Sequence, residues 1–180
     1  MTDDFRLAEM PFDLYERYLS LEHIGRLFRT TCELPYSVLD VGGHSPVLRP
    51  GFSSIAEISI PGSRVTVVDT IPRAWFQNYV QANGMQLPFR DGAFDLVCSL
   101  DTLEHIPAEH RPAFLSELLR VTRDVLYLAF PFKSANNRWA ESMVGEYADA
   151  VLRDPIPGLL EHRRFGLPDA ETIARLFVSY

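Results

Sequence analysis

Ser37 to Ser45 reads Ser-Val-Leu-Asp-Val-Gly-Gly-His-Ser, an apolar run that ends in an acid and passes directly into paired glycines. This stretch limits the fold more than any other. A short apolar segment bounded by glycine is the pattern of a buried parallel strand, and glycine lets the backbone bend closely around a ligand. In open α/β sheets such a turn falls at the carboxyl ends of the strands, where ligands bind.

The rest of the chain supplies partners for that strand. Pro11 to Thr31 carries Leu14, Tyr18, Leu21, Ile24 and Phe28 at spacings of three and four, which predicts a helix packed on a sheet, with Tyr15 and Arg17 off the stripe. Pro46 and Pro50-Gly51 delay the next helix to Phe52 or Ser53, and Pro61-Gly62 ends it. Arg64 to Asp69 is a second, β-branched strand that also ends in an acid. Between Thr70 and Asn78, Pro72, Trp75 and Phe76 leave no room for a full crossover helix, and Tyr79 to Ala82 reads as a third strand.

Ala93 to Leu100 is a fourth strand. The helix after it can take Pro107 and Pro112 in its first turn and presents Phe114, Leu118 and Val121, with Leu115 and Leu119 alongside. Asp124 to Phe130 is a fifth strand, ended by Pro131. Strands alternating with helices predict an α/β, Rossmann-like, doubly wound and mostly parallel sheet with helices on both faces. Beyond Lys133 the expectation is a helix over Arg138 to Leu152, a proline-rich turn at Asp154 to Gly158, and a helix opening near Pro168-Asp169 that Tyr180 interrupts.

With 180 residues, 47% hydrophobic and 23% charged, the chain suits one globular domain. Its parts are an N-terminal helical segment (1–36), a binding core (37–131) and a helical substrate-side segment (132–180). The net charge of -7 and scattered arginines, with Lys133 the only lysine, argue against nucleic acid as a partner. Cys32 and Cys98 form no disulfide framework, and no apolar run approaches the ~20 residues of a membrane span. The start of the chain has no apolar signal core, so the cytoplasm is the expected location.

Asp40 and Asp69, acids at the ends of two strands, are what a nucleoside site on a parallel sheet needs, because a carboxylate can accept both hydroxyls of a ribose. Acids at strand ends also start turns, and that reading stands beside the first. Taken with Asn83-Gly-Met-Gln-Leu-Pro-Phe-Arg-Asp-Gly-Ala-Phe-Asp-Leu-Val-Cys-Ser-Leu-Asp-Thr-Leu-Glu-His-Ile-Pro, the two acids and Gly42-Gly43 resemble a class I S-adenosylmethionine-dependent methyltransferase of type 11, from about Val38 to Phe130. The resemblance implies strand order 3-2-1-4-5 and S-adenosyl-L-methionine as cofactor.

It further implies that Gly42 and Gly43 lie under the methionine and ribose, that Asp69 holds the ribose hydroxyls and that Thr70 and Ile71 flank the adenine. Asn83 stands where the family has an Asp that accepts from the adenine amino group, and its carbonyl oxygen can do the same. Gly84 and Met85 would line the adenine slot, and Ser99 and Leu100 would face the methionine. Departures are clear. His44, Ser45 and Pro46 replace further glycines, which puts His44 in a loop beside the cofactor, and Asp40 to Asp69 is longer than usual. The family's sixth and seventh strands are missing, which implies a shortened or minimal domain whose fifth strand is an exposed edge suited to a homodimer. Glu161-His-Arg-Arg-Phe-Gly-Leu-Pro168 resembles the C-terminal segment of bacterial methyltransferases found beside glycosyltransferases of surface-polysaccharide synthesis.

Methyl transfer from a sulfonium is an in-line displacement that depends on positioning, and it needs a base only if the acceptor must lose a proton. His105 is the first candidate for that base, with Asp101 and His162 the others. Alternatively, Glu104 and His105 simply open the next helix. No residue is assigned to a metal. Ser-Leu-Asp-Thr after the fourth strand is not the Asn-Pro-Pro-aromatic turn that grips an amide or amine. It favours oxygen methylation of a small molecule, sugar or lipid-linked glycan. A catalytically silent cofactor-binding module is the alternative. A nicotinamide-dependent dehydrogenase is disfavoured, since Gly42-Gly43 is not Gly-x-Gly-x-x-Gly and Asp69 lies 26 residues past Gly43 (69 minus 43).

Overall fold

The computed structural model describes residues 12–29, 35–44, 54–72 and 78–178, the side chains of 12–14, 29 and 178 excepted. Cys32, Ser45, Pro46, Trp75, Phe76, Tyr180 and the helix start expected at Phe52 or Ser53 lie outside the described residues. The chain divides into two compact units, Met1–Leu100 with Leu115–Leu128, and Asp101–Phe114 with Ala129–Tyr180.

The first unit is built on a five-stranded sheet. Its strands are β1 (Ser37–Val41), β2 (Arg64–Asp69), β3 (Tyr79–Gln81), β4 (Phe94–Leu100) and β5 (Thr122–Ala129), in the order β3-β2-β1-β4-β5. β1 pairs parallel with β2 and β4, and β2 pairs parallel with β3. Val38 stands opposite Val65 and Leu96, and Asp40 opposite Val67 and Cys98. From Val38 onward every residue of β1 is buried, as a central parallel strand covered on both faces requires. The doubly wound order of the sequence reading is therefore present, and β5 closes one edge.

α1 (Phe12–Arg29) buries Tyr18, Leu21 and Phe28. The ring of Phe28 meets Tyr36 edge-on at 5.2 Å between centroids, at the entry to β1. Gly25 allows α1 to approach closely, since a β-carbon there would stand 3.1 Å from Ile60 Cγ1. α2 (Ile55–Ser59) is as short as the prolines demand. Ser54 caps it by accepting from Ala56 N at 3.0 Å, and Ile60 N donates back to Ala56 O at 2.9 Å before Gly62 turns the chain at φ 86°.

α3 (Arg111–Val121) buries Phe114, Leu115, Leu118 and Val121. In its last turn, Arg120 holds the Leu87-Pro88-Phe89 run. Its guanidinium donates to Phe89 O at 2.7 Å and Leu87 O at 3.0 Å, and to Asp91 Oδ1 at 2.9 Å. Glu117 accepts from Arg120 Nε at 2.6 Å and from Leu87 N at 2.7 Å.

The second unit departs from the sequence reading in three places. Leu103–His105 and Ala108–His110 are separate 3-10 turns, so Pro107 precedes the second of them and does not sit in the first turn of α3. The helix α4 (Ala135–Tyr147) starts earlier than Arg138 because Ser134 caps it, accepting from Asn137 N at 3.0 Å. It passes into a wider turn, Ala148–Leu152, ended by Arg153 at φ 53°. Finally α5 (Pro157–Phe165) replaces much of the expected turn, since Pro157 fits a first helical position and Gly166 at φ 70° ends the helix. α6 (Ala170–Val178) opens where predicted, with Asp169 accepting from Thr172 N at 2.9 Å.

Candidate functional site

The glycine turn follows β1 directly. Gly42 takes φ 80°, a left-handed backbone that disfavours a side chain, and its N–H donates to Val68 O at 2.8 Å. Gly43 does a different job. Its position lies against the Asp40 carboxyl, so close that a β-carbon at 43 would stand 2.3 Å from Asp40 Oδ2. Asp40 is 0% exposed and accepts from Ser54 Oγ at 2.8 Å, with Cys98 Sγ 3.7 Å from its other oxygen. Burial pushes its pKa up to about 6, against the two hydrogen bonds and with the charge of Asp69 adding to the rise. Asp40 therefore shapes the turn from beneath and does not present its carboxyl to a ligand.

Asp69, at the end of β2, is only half-buried. Its Oδ2 accepts from His44 N at 3.2 Å, and its Oδ1 from Ile71 N at 3.2 Å and Thr70 Oγ1 at 3.4 Å. One carboxylate thus joins the glycine turn to the segment after β2. A carboxylate offers about four lone-pair sites, so acceptor capacity remains on Oδ2. Thr70 is exposed, and Ile71 exposes 45% of its surface.

Beyond β3, exposed Asn83 uses its carbonyl oxygen to accept from Met85 N at 2.9 Å, so in this state the side chain orders its own turn. Gly84 and Met85 are half-buried. Ser99 is 3% exposed and donates to Val41 O at 2.9 Å, tying β4 to β1, and Leu100 is 5% exposed.

In the second unit, Asp101 takes φ 50° and its N–H donates to Ala129 O at 2.9 Å. His105 and His162, 57 residues apart in sequence (162 minus 105), come together with ring centroids 4.8 Å apart. His105 Nδ1 lies 2.7 Å from Glu161 Oε2, and His162 Nδ1 lies 2.7 Å from Glu141 Oε1. Glu104, 1% exposed, completes the group, and one donor atom from each of Glu104, His105 and His162 falls within 4.8 Å of the others. Buried Arg111 donates to Ile106 O at 3.0 Å, to Phe165 O at 3.3 Å and to Gly166 O. Burial lowers its pKa, while Glu104 and Glu109 act in the opposite direction.

The sequence singled out His105, Asp101 and His162 but missed Glu104 as a member of the group, Glu141 and Glu161 as its carboxylate partners, and Arg111 and Arg120 as anchors. The adjacent Glu104-His105 pair was the one available signal for the first.

The sheet order, the glycine turn after β1 and the acid ending β2 are those of an open α/β sheet, in which ligands bind at the carboxyl ends of the strands. Residues 47–130 match the family model described as a methyltransferase domain. An uncharacterized methyltransferase of Mycobacterium sp. (strain KMS) is 37% identical over 95 residues, which cover 48% of this chain and 34% of that protein. The chain thus matches about a third of that relative's length. Among solved structures, a putative methyltransferase from Bacillus halodurans has a TM-score of 0.57 at 19% identity, covering 90% of this chain and 64% of that one. The magnesium protoporphyrin IX methyltransferase of Synechocystis, solved with bound SAH (S-adenosylhomocysteine), has a TM-score of 0.57 at 18% identity, covering 95% and 77%. Residues 47–130 thus carry the likeness to a methyltransferase domain, on a sheet of the order β3-β2-β1-β4-β5.

Proposed function

We propose that this protein is a methyltransferase that uses S-adenosyl-L-methionine to methylate a hydroxyl oxygen of a small-molecule or glycan acceptor. The observation that carries the reading is the Asp69 carboxylate at the carboxyl end of β2, linked by His44 N–H to the glycine turn after β1. The residues fit the cofactor. Asp69 keeps acceptor capacity for ribose hydroxyls, Gly42 and Gly43 leave the backbone bare, and exposed Ile71 offers an apolar surface for a base. Thr70, Asn83, Gly84 and Met85 would border the adenine, and Leu100 the methionine. S-adenosyl-L-methionine supplies an electrophilic methyl group when bound.

The chain's own part is to position the acceptor and take its proton. In both histidines Nδ1 lies 2.7 Å from a carboxylate oxygen, a contact that orients the ring and leaves Nε2 as the nitrogen to take a proton. His105 and His162 are the proposed proton acceptors, with Asp101 the next nearest in sequence. We place the protein in the cytoplasm; no helix among the described residues is long and apolar enough to cross a membrane. β5, at the sheet edge, is the surface through which a second copy would add.

Calorimetry of the whole chain with S-adenosylhomocysteine tests the reading. Binding that falls at least about tenfold in Asp69→Ala, in line with the loss of charge-assisted hydrogen bonds, is expected. No detectable binding to the unaltered chain overturns it, and binding without transfer to any hydroxyl acceptor would leave a cofactor-binding module instead.

A further inference from the structure

The geometry points to a divalent transition-metal site formed by Glu104, His105 and His162, an inference that goes beyond the methyltransferase reading: without the ion the two histidines are the proposed proton acceptors, and with it they are its ligands. Two imidazoles and one carboxylate form a donor set suited to zinc and its first-row neighbours. The three donor atoms lie within 4.8 Å of one another. Donors held at about 2.0–2.1 Å from a tetrahedral ion stand roughly 3.4 Å apart, so an ion would draw them together by about an ångström.

A second observation separates this group from a chance cluster. Each histidine has its Nδ1 engaged by a carboxylate at 2.7 Å, Glu161 for His105 and Glu141 for His162. That arrangement fixes the ring, places the proton on Nδ1 and makes Nε2 a better donor to a metal, which is how ligating histidines are usually held. His162 Nε2 is buried and has no hydrogen-bond partner among the described residues. A buried ring nitrogen without a partner is an arrangement that proteins rarely tolerate. A metal ion uses the same atom as a lone-pair donor and removes the problem.

The setting agrees with this assignment. Glu104, Glu141 and Glu161 bring three carboxyl groups to the two imidazoles, an acidic surround that suits a divalent cation.

The test is titration of the metal-stripped full-length chain with Zn2+ by calorimetry, beside an S-adenosylhomocysteine titration of the same sample. One Zn2+ per chain is expected, with affinity reduced about 100-fold or more in His105→Gln/His162→Gln and about 10–100-fold in Glu141→Gln. Glu104 is deeply buried, so Glu104→Gln could unfold the chain; His162→Gln, less buried, is the deciding single variant, with circular dichroism confirming its fold. Zn2+ binding absent from the unaltered chain, or undiminished in the double histidine variant, overturns the proposal. The S-adenosylhomocysteine isotherm reads the methyltransferase assignment separately, so failure of one can be told from failure of the other.

Discussion

A β-carbon on Gly43 would lie 2.3 Å from both the carboxyl carbon and Oδ2 of Asp40. Asp40 has no room to yield, being fully buried and bonded to Ser54. Gly43→Ala should therefore destabilise the protein by about 1–3 kcal/mol, the usual cost of overpacking. The penalty should shrink in an Asp40→Ala background, because the collision partner is gone. Equal costs in the two backgrounds, measured by urea unfolding, would refute this coupling.

Asp40 also sets a pH dependence. Its folded pKa is raised from 3.8 to about 6, so between those values the folded state holds more protons than the unfolded one. Stability then falls as pH rises through that window, by up to ~3 kcal/mol, and the loss is complete above about pH 6. Asp95 and Glu117 work the other way, since their folded pKa values are lowered and their contribution is lost as the solution becomes acid. Asp40→Asn, which keeps an oxygen for Ser54, should flatten the falling limb between pH 4 and 6 while leaving the acid limb. Thermal melts across pH 3 to 8 check this; an unchanged slope above pH 4 argues against it.

Arg120 reaches two main-chain carbonyls and two carboxylates at once, which the fork of a guanidinium permits and an ammonium does not. Arg120→Lys should cost about 1–2 kcal/mol, because at least one carbonyl of the Leu87–Phe89 run loses its donor. Amide exchange in residues 87–92 should quicken along with the drop in stability. If Lys preserves both, the guanidinium geometry is not what holds that run.

Gly145 gives the opposite expectation from Gly43. A β-carbon there meets Arg163 Nη2 at 2.2 Å and Cζ at 3.4 Å, the far end of a flexible side chain that can swing away. Gly145 lies inside α4, where alanine is the better helix former, so Gly145→Ala should leave stability unchanged or raise it by up to about 1 kcal/mol. A loss greater than about 1 kcal/mol in chemical unfolding would mean that Arg163 is fixed by contacts stronger than its exposure suggests.

Much of the first unit was legible in the sequence because period and punctuation agree there. Prolines bracket α2, β-branched residues fill β2, and glycines follow β1. The burial of Asp40 was not legible for a local reason: an acid at the end of a strand looks the same whether it is exposed or buried, and Ser54 and Cys98, which surround it, come from other parts of the chain. α5 was missed because Pro155 and Pro157 read as a turn, although a proline at a first helical position loses no hydrogen bond. The histidine group was invisible as a unit. Its members come from the 3-10 turn after β4, from α4 and from α5, and no spacing rule joins residues 104, 105, 141, 161 and 162.

Arg111 holds Ile106, Phe165 and Gly166 entirely through their carbonyl oxygens, which every amino acid possesses. The residues it grips can therefore change without altering what is gripped, apart from the left-handed backbone that favours glycine at 166. In a library of random substitutions, tolerance at positions 106 and 165 should coexist with near-intolerance at 111. The record of that joint is written in one residue, where a side-chain pairing would have written it in two.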